Sequence, residues 1–362
     1  MRYVIDDKKY QFKSAFDTKT GAYVRTGILD ANGKDTGIDP FMASYPHLID
    51  VGVMGHCIHG KTGLCVKAGI GCYQNGLLVE QPNMTVANFR WIAEQSKHKC
   101  NQFALGGRGD PDQHEHFEEL LLICQENDLV PNFTTSGYGM TPEIAEKCKR
   151  YCGAVAVSWY RSEYTLNAIQ LLLNAGVKTN IHYVLGRNSI TEAIDRLKAN
   201  DFPHGINAVI FLLHKPAGQG SEDNVLNFSD PRVAEFFNFV DKKHPFKIGM
   251  DSCNVPGAIN YCKNIAAESL DTCEGGRFSC YISADMYMTP CSFDQERRYY
   301  VSLQGKTIEE VWNSEPFNQF RRKLHYSCPD CKNRDLCMGG CPLMPEIVFC
   351  NSPQRYYEEE LQ

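Results

Sequence analysis

Three cysteine thiols lie in one glycine-rich loop in the first quarter of the chain. Cys57, Cys65 and Cys72 follow one another with the spacing Cys-x7-Cys-x6-Cys. Three thiolates can bind three irons of a [4Fe–4S] cube and leave the fourth iron open to an outside ligand. Glycines give the backbone the conformational freedom that is needed to wrap such a cluster. The alternative is a zinc site with His56 or His59 as its fourth ligand.

A second group of cysteines lies near the end of the chain. Four have the spacing Cys-x2-Cys-x5-Cys-x3-Cys and a fifth follows: Cys328, Cys331, Cys337, Cys341 and Cys350. A zinc ribbon needs only four sulfurs, at a different spacing. With Cys273 and Cys291 upstream, the region has enough sulfur for more than one metal centre. Four other cysteines are expected to be small buried side chains: Cys100, Cys124, Cys148 and Cys152.

Composition limits the classes of protein to which the chain could belong. Of 362 residues, 43% are hydrophobic and 22% are charged, which excludes global disorder. The net charge of −6 argues against nucleic acid as a partner. The N-terminus shows no secretory signal and the apolar runs are too short to cross a membrane. Because 17 cysteines cannot all pair, we expect a cytoplasmic protein that binds metal.

Elements that could position these thiols begin at residue 46. Apolar strand segments alternate with helical segments, and the strands are predicted at 47–53, 102–105, 129–134, 154–158, 177–185 and 208–213. A further strand is possible at 246–249. This alternation is typical of βα repeats around a parallel sheet. Six units are fewer than the eight of a closed barrel. We therefore expect an α/β fold, a partial (β/α)6 TIM-type barrel, with its site at the carboxyl ends of the strands.

The same pattern divides the chain into three regions. Residues 1–45 are polar, carry turn signals and one predicted strand at 23–26, and form an N-terminal extension. Residues 46–250 form the barrel. Residues 251–362 contain ten of the 17 cysteines and few periodic segments, so we expect a cysteine-rich iron–sulfur domain that is organised by metal.

The motifs after the predicted strands resemble those of the radical S-adenosylmethionine (SAM) superfamily. These enzymes place an aromatic residue after the third cluster cysteine, as Tyr73 follows Cys72. The segment Gly106-Gly107-Arg108-Gly109-Asp110-Pro111 is similar to their Gly-Gly-Glu-Pro motif. This resemblance implies that Gly106, Gly107 and Asp110 bind SAM. The family's common spacing is Cys-x3-Cys-x2-Cys, so the longer loop of this chain is expected to bulge away from the usual path.

The resemblance continues along the later strands and covers about residues 46–250. Ser136 lies in a segment, 132–137, that is similar to the family's Thr-Asn-Gly turn. Ser158 ends the fourth strand, where the family often contacts the SAM carboxylate or ribose. Asn180 and Asn188 flank the fifth strand at a ribose-facing position. Residues 215–220 are similar to the family's Pro-x-Gly-x-Gly segment.

The C-terminal cysteines resemble a SPASM domain, an extension of radical SAM enzymes that holds two auxiliary [4Fe–4S] clusters. The resemblance implies that one cluster has these ligands: Cys328, Cys331, Cys337 and Cys350. It implies for the other Cys273, Cys291 and Cys341, and a fourth ligand from Cys253, Cys262 or Cys280, or else an iron open to substrate. An alternative reading, Cys262-x12-Gly275-x4-Cys280, also satisfies the spacing, but the flanks Cys-x-Gly-Gly-Arg and Pro-Cys favour Cys273 and Cys291.

As a radical SAM enzyme, the chain is expected to cleave SAM reductively to a 5′-deoxyadenosyl radical that abstracts hydrogen from a substrate. The resemblance implies a peptide or protein substrate and a flavodoxin- or ferredoxin-type electron donor. We expect a crosslink, a thioether or a backbone rearrangement in a ribosomally synthesised peptide. No catalytic residue of the chain is identified from the sequence.

Two other functions remain open at this point. A sulfatase-maturating enzyme would form formylglycine, but such enzymes carry an Asp directly after the second SPASM cysteine. Here Ser292 follows Cys291 and Asp294 is two residues further. A non-catalytic zinc protein is the third possibility. His114 and His116 could form a metal pair, although a solvated helix face is the expected reading.

Overall fold

The computed structural model describes residues 2–76, 78–326, 328 and 330–351. The last residues of the predicted C-terminal domain, 352–362, lie outside the described residues. An antiparallel sheet opens the chain, with strands β1 (Arg2–Asp7), β2 (Phe12–Asp17) and β3 (Tyr23–Arg25). Only β3 was predicted, because β1 is half-exposed along its length and its sequence lacks a buried apolar face.

Parallel strands form the wall of the barrel. They pair in chain order as β4 (Leu48–Met54), β5 (Gln102–Gly107), β6 (Val130–Thr135), β7 (Ala154–Ser158), β8 (Thr179–Leu185), β9 (Ala208–Leu213) and β10 (Lys247–Met250). The predicted α/β partial barrel is therefore confirmed, with β10 as one more parallel strand beyond the six units.

Helices follow the strands on the outside of this sheet. Two short ones lie in the loop after β4, and longer ones connect the later strands: α1 (Ile58–Thr62), α2 (Leu64–Lys67), α3 (Val86–Ser96), α4 (Phe117–Glu126), α5 (Pro142–Tyr151), α6 (Glu163–Asn174), α7 (Ile190–Ala199) and α8 (Pro231–Val240). Thr85, Thr141 and Ser162 cap α3, α5 and α6, because each side chain accepts a backbone N–H from the first turn. Each cap satisfies a donor that the helix itself cannot pair, and so fixes where the helix begins.

The C-terminal region is continuous with the barrel sheet. Its strands are β11 (Ser279–Ile282), β12 (Tyr287–Thr289) and β13 (Val301–Ser302), and β11 pairs with β4 in parallel. Its helices are α9 (Val255–Tyr261), α10 (Ile308–Trp312), α11 (Glu315–Tyr326) and α12 (Arg334–Cys337). The barrel thus ends at β10 on one edge and continues through β11 on the other.

The N-terminal segment is bonded to the start of the cysteine-rich region. The guanidinium of Arg277 is fully buried and donates to the carbonyls of Phe41 (2.6 Å) and Cys273 (3.4 Å) and to Asp39 (2.8 Å). Arg25 donates to Asp271 at 2.7 Å from the other side of the same segment. These contacts fix the backbone at Cys273 to the segment that precedes the barrel.

Candidate metal centres and active site

The loop after β4 brings Cys57, Cys65 and Cys72 to one place at the carboxyl end of the barrel. Gly76 shows how close two of them are. A Cβ atom on Gly76 would lie 3.1 Å from the Cβ of Cys57 and 3.4 Å from the Sγ of Cys72. The extra length of the loop forms α1 and α2 rather than an irregular bulge. Because position 76 is a glycine, the space between the thiols of Cys57 and Cys72 stays open, whereas a larger side chain would fill it.

The loop thiols of Cys65 and Cys72 have hydrogen-bond partners, and the charges of Cys57 and Cys72 act on Cys65. The Sγ of Cys65 lies 3.3 Å from the hydroxyl of Tyr160, and the N–H of Gly76 donates to the Sγ of Cys72 at 3.4 Å. Burial, with smaller contributions from the neighbouring Cys57 and Cys72 and against the effect of the Tyr160 hydrogen bond, raises the pKa of Cys65 to about 11. A metal centre bound by these thiols would supply the opposing positive charge.

His59 anchors the cysteine loop to the loops after β5 and β6. Its Nε2 lies 2.8 Å from Oδ2 of Asp110 and 2.9 Å from Oγ of Ser136. Ser136 also donates its hydroxyl and its backbone N–H to the Asp110 carboxylate, at 2.5 and 3.0 Å. From the sequence, His59 was considered only as a possible zinc ligand. Its contact with Asp110 could not be predicted, because the two residues are 51 positions apart.

Most of the residues that were predicted to bind SAM lie at the same end of the barrel. Gly106 and Gly107 end β5, and Gly107 has a φ of 110°, which favours glycine. A Cβ on Gly106 would meet open space. Ser136 follows β6 directly, and Ser158 ends β7. The carboxyl end of the sheet therefore offers open space at Gly106 and polar groups beside the cysteine loop.

The two predicted asparagines are placed differently. Asn180 is the second residue of β8, at the amino end of the barrel, and its side chain accepts a hydrogen bond from Asn207 at 2.7 Å. It is not brought together with the other predicted residues. Asn188 is exposed in the loop after β8, where its backbone N–H donates to the side chain of Asn224 at 2.9 Å.

Four cysteines of the C-terminal region form a first set: Cys253, Cys273, Cys291 and Cys341. The thiols of Cys253 and Cys341 are hydrogen-bonded to each other, which with burial raises the pKa of Cys253. Burial, with a smaller contribution from the nearby Cys253, raises the pKa of Cys273 to about 12. The pKa of Cys291 is raised by burial and then by Cys273 and Cys253. The structure thus places Cys253 beside Cys273, Cys291 and Cys341, the three cysteines for which the sequence left the fourth ligand open.

The other two candidates for that position lie elsewhere. The thiol of Cys262 is directed to the carbonyl of Phe237 at 3.6 Å, and its charged neighbour is Asp241. Cys280 is buried within β11, with Cys100 and Asp50 as neighbours. The four cysteines of the first set are not among the charged neighbours of Cys262 or Cys280.

A second set of four cysteines lines one cavity: Cys328, Cys331, Cys337 and Cys350. This cavity of about 30 Å³ is also lined by residues of α9, including Pro256 and Asn260. Burial, with a smaller contribution from the other three cysteines, raises the pKa of Cys337 to about 11. The arrangement, four thiols around one space, fits an inorganic cluster with one thiolate on each iron.

The thiols of these sets are spread around a space rather than gathered at a point. Within the part of the chain that the structure describes, no group of three or more His, Cys, Asp or Glu side chains could hold a single metal ion. All 17 cysteines are free of disulfide bonds. As predicted, Cys100, Cys124 and Cys148 are buried in the hydrophobic core, and Cys152 packs half-buried against it.

The loop after β9, residues 214–220, contacts both the cysteine loop and the first C-terminal set. At one end, Lys215 donates to Asp251 at 2.7 Å and lies 4.4 Å from the ring centre of Phe293. At the other end, the N–H of Gln219 donates to the carbonyl of Cys72 at 3.0 Å. Burial alone would lower the pKa of Lys215, but Asp251 and Cys253 raise it. The ammonium group is therefore charged.

The inner face of the barrel is unusually polar. Asp50, Thr134 and His182 point inward from β4, β6 and β8, and the Thr134 hydroxyl lies 3.2 Å from Nδ1 of His182. TIM-type barrels usually fill this space with branched apolar side chains. Burial raises the pKa of Asp50 to about 7. A lumen lined in this way can hold a polar ligand.

One expectation from the sequence is corrected by the structure, and a second residue noted there has a fixed place. His114 does not lie on a solvated face: its side chain is buried and Nε2 lies 3.1 Å from the carbonyl of Met84, whereas His116 is exposed. Asp294 is also buried, and its carboxylate accepts the backbone N–H groups of Arg298 and Tyr299 at 3.2 and 2.8 Å. Both side chains have structural roles that sequence spacing does not reveal.

Comparison with known proteins gives a family match within the C-terminal region and relatives over a larger part of the chain. Residues 273–333 match the SPASM iron–sulfur cluster-binding domain. The mycofactocin maturase MftC of Mycolicibacterium smegmatis is 24% identical over 262 residues, 65% of this chain and 64% of that protein. The MftC of Mycobacterium ulcerans is 24% identical over 258 residues, 65% of this chain and 68% of that protein. The chain thus spans slightly less than two thirds of the length of the first of these relatives.

Solved structures with the same fold include two peptide- and SAM-bound proteins. Streptococcus suis SuiB bound to its precursor peptide SuiA has a TM-score of 0.64 at 12% identity and covers 97% of this chain and 99% of that chain. The protein anSMEcpe with bound AdoMet has a TM-score of 0.60 at 15% identity, with 86% and 93% covered. These likenesses establish the fold. Among the described helices, none has the length and apolar character to cross a membrane.

Fold, cysteine sets and domain match are those of one class of protein, the partial-barrel radical SAM proteins with a cysteine-rich C-terminal extension. Residues 273–333 match the SPASM domain, and the chain as a whole is similar to radical SAM proteins that carry this domain. The resemblance that the sequence motifs indicated is confirmed.

Proposed function

We propose that the chain reductively cleaves SAM and uses the resulting 5′-deoxyadenosyl radical to modify a ribosomally synthesised peptide by hydrogen abstraction. The observation that carries this proposal is the convergence of Cys57, Cys65 and Cys72 around Gly76 at the mouth of a partial barrel. Two of the relatives named above are mycofactocin maturases, and SuiB was crystallised with a precursor peptide. The product would be a crosslink, a thioether or a backbone rearrangement.

In this proposal the three loop cysteines hold a [4Fe–4S] cluster, which supplies the electron that splits the SAM sulfonium. The residues of the chain bind and orient. Tyr160 and the N–H of Gly76 direct hydrogen bonds at the sulfurs, which tunes the ligands. His59 holds Asp110 and Ser136 in place, beside the open space in front of Gly106 where SAM would bind.

Two auxiliary [4Fe–4S] clusters belong to the same proposal. Cys253, Cys273, Cys291 and Cys341 would hold the first, so that Cys253 is its fourth ligand and no iron stays open to substrate. The second would have these ligands: Cys328, Cys331, Cys337 and Cys350. Reduction of the SAM-binding cluster would come from a flavodoxin- or ferredoxin-type donor.

A peptide segment would enter the barrel lumen. Asp50, Thr134 and His182 offer one carboxylate, one hydroxyl and one imidazole there, and a substrate needs such polar groups to be oriented. Small residues such as Ala104 and Ala156 on neighbouring strands leave room between these groups.

Sulfatase maturation is the second candidate, because anSMEcpe shares the fold. The position of Asp294 counts against it. Its carboxylate already accepts two backbone N–H groups and is 1% exposed, so it is not available as a base for a substrate. Peptide modification of the first kind is therefore favoured.

The experiment begins with anaerobically reconstituted protein. We expect about twelve irons per chain, as three [4Fe–4S] clusters require, and formation of 5′-deoxyadenosine from SAM with dithionite. Replacement of Cys57, Cys65 and Cys72 by Ala should leave about eight irons and abolish cleavage. The matched control is Cys152→Ala, which should change neither. Intact cysteines with no SAM cleavage would contradict the proposal.

The peptide is tested separately. Incubation of the reduced enzyme and SAM with a precursor peptide encoded beside its gene should change the mass of that peptide. A peptide with a sulfatase Cys or Ser motif is the comparison, and its conversion to formylglycine would favour the second candidate instead.

A further inference from the structure

Lys215 is a buried cation at the carboxyl end of β9. Its side chain is 4% exposed, and its ammonium donates to the carbonyl of Leu213 at 2.9 Å and to Asp251 at 2.7 Å. Asp251 is itself fixed, since it accepts the N–H of Leu213 at 3.2 Å and the amide of Asn254 at 2.7 Å. Burying an ion pair is costly, so a position of this kind suggests a role beyond packing.

The surroundings of Lys215 indicate what that role is. Cys253, Cys341 and Cys291, three of the four thiols in the first C-terminal set, lie within range of its charge. Its ammonium also lies 4.4 Å from the ring centre of Phe293, two residues after Cys291. The cavity of the second set is also lined by a cation, Arg334, but this side chain is only partly buried and donates to the carbonyl of His325 at 2.7 Å.

A fixed cation next to a cluster acts on its reduction. A [4Fe–4S] centre with four thiolates is anionic, and one added electron makes it more negative while no bond forms or breaks. A nearby positive charge in a water-poor site stabilises the reduced form more than the oxidised form, so it raises the reduction potential. The effect is largest where the charges are withdrawn from water, and here Lys215 and Cys341 are buried while Cys253, Cys273 and Cys291 are partly buried.

We propose that Lys215 sets the reduction potential of the auxiliary cluster at Cys253, Cys273, Cys291 and Cys341 above that of the cluster at Cys337, so that the first is the electron acceptor. This inference rests on the proposed function, because it requires the clusters. Lys215 would affect the reaction only by changing the reduction potential of this cluster. It is therefore a positioning residue rather than a catalytic one.

The loop that carries Lys215 supports this assignment. Residues 214–220 also contact Cys72, through the N–H of Gln219 at 3.0 Å. Tyr73, directly after Cys72, stacks on Phe293 with ring centres 4.2 Å apart. The cluster beside Lys215 is therefore the auxiliary site that touches the SAM-binding loop.

The test measures potentials rather than turnover. The full chain with Cys57, Cys65 and Cys72 replaced by Ala keeps only the auxiliary clusters, whose stepwise reduction with dithionite is followed by electron paramagnetic resonance. Lys215→Met should lower one of the two midpoint potentials by at least about 59 mV, which for one electron is a tenfold change in the reduction equilibrium. Lys215→Arg should retain most of the wild-type value, because it keeps the charge.

Two further variants make the test decisive. Lys242→Met is the matched control, because this exposed lysine lies over the ring of Phe239 at 3.9 Å and away from the cysteine sets. It should change neither midpoint. Asp251→Asn removes the counter-charge and should raise the midpoint that Lys215→Met lowers. A merely structural role would move both variants in the same direction.

Several outcomes would overturn the inference: unchanged midpoints in iron-loaded Lys215→Met, an equal fall in Lys215→Arg, or no rise in Asp251→Asn. If Lys215→Met does not retain iron, the Asp251→Asn result decides. Absence of any cluster signal from the parent protein would count against the proposed function instead, so the two failures are distinguishable.

Discussion

The ring of Tyr73 stacks on the ring of Phe293, with centres 4.2 Å apart and planes inclined by 29°. One residue follows the last cysteine of the barrel loop, and the other follows Cys291 of the SPASM domain. A single aromatic contact therefore connects the backbones of two proposed cluster sites. Stacked aromatic pairs contribute about 0.5–1.5 kcal/mol beyond the area that they bury.

Removal of this contact should weaken the fold measurably. Phe293→Ala is expected to lower the free energy of unfolding by about 2 kcal/mol, because the ring packs on Tyr73 and under Lys215 and is half-buried. Phe293→Tyr keeps the stack and should have little effect. Anaerobic urea unfolding of the reconstituted protein measures both. Wild-type stability in the Ala variant would show that the contact contributes nothing.

Gly76→Ala should remove one cluster and spare the others. The added Cβ would lie 3.1 Å from the Cβ of Cys57 and 3.4 Å from the Sγ of Cys72, in the space that the proposed cluster needs. Iron should fall from about twelve to about eight per chain and SAM cleavage should be lost. The control is Gly249→Ala, whose Cβ would meet Ile210 at a similar 3.2 Å, far from this loop. Full iron in Gly76→Ala would refute the placement.

His59→Ala should weaken SAM binding without loss of iron. The variant loses the contacts of Nε2 with Asp110 and Ser136, and hydrogen bonds to a charged group contribute about 1.5–3 kcal/mol. The Kd for SAM should therefore rise about tenfold or more, as measured by equilibrium dialysis of the reconstituted protein. His98→Ala, at an exposed position, should bind SAM like the wild type. An unchanged Kd in His59→Ala would mean that the anchor does not support the SAM site.

Asp50 should make stability depend on pH. Burial raises its pKa from 3.8 to about 7 in the folded protein. The folded state thus holds more protons than the unfolded state between these values, and stability falls as the pH rises from about 4 to about 7. Asp50→Asn should remove this loss and add up to about 4 kcal/mol at pH 8, but little at pH 4.

Urea unfolding across this pH range tests the prediction for Asp50. Asp195→Asn, on the exposed face of α7, is the control and should not alter the pH dependence. Equal stability gains at pH 4 and pH 8 in Asp50→Asn would show that the carboxyl group does not titrate as described.

The barrel was predictable because several of its strands are short apolar runs that alternate with helical segments at a regular spacing. The segments at 154–158 and 208–213 coincide with β7 and β9. Asn180 shows the limit of this reasoning. Its position next to a strand was readable, but which end of the strand it occupies depends on where β8 begins in the sheet.

The anchors of the site were not predictable because they join distant parts of the chain. His59 meets Asp110 across 51 positions, and Lys215 meets Asp251 across 36. Cysteine spacing narrowed the fourth thiol of the first C-terminal set to three candidates but gave no ground to choose Cys253. Only the fold, which places the start of α9 beside Cys341, brings these thiols together.

The pairing of β11 with β4 makes the metal-rich region part of the barrel wall. Without β11, one edge of β4 would present unpaired N–H and C=O groups along its length, a template for aggregation. A truncated chain that stops after β10 should therefore be an aggregation-prone product rather than a minimal enzyme.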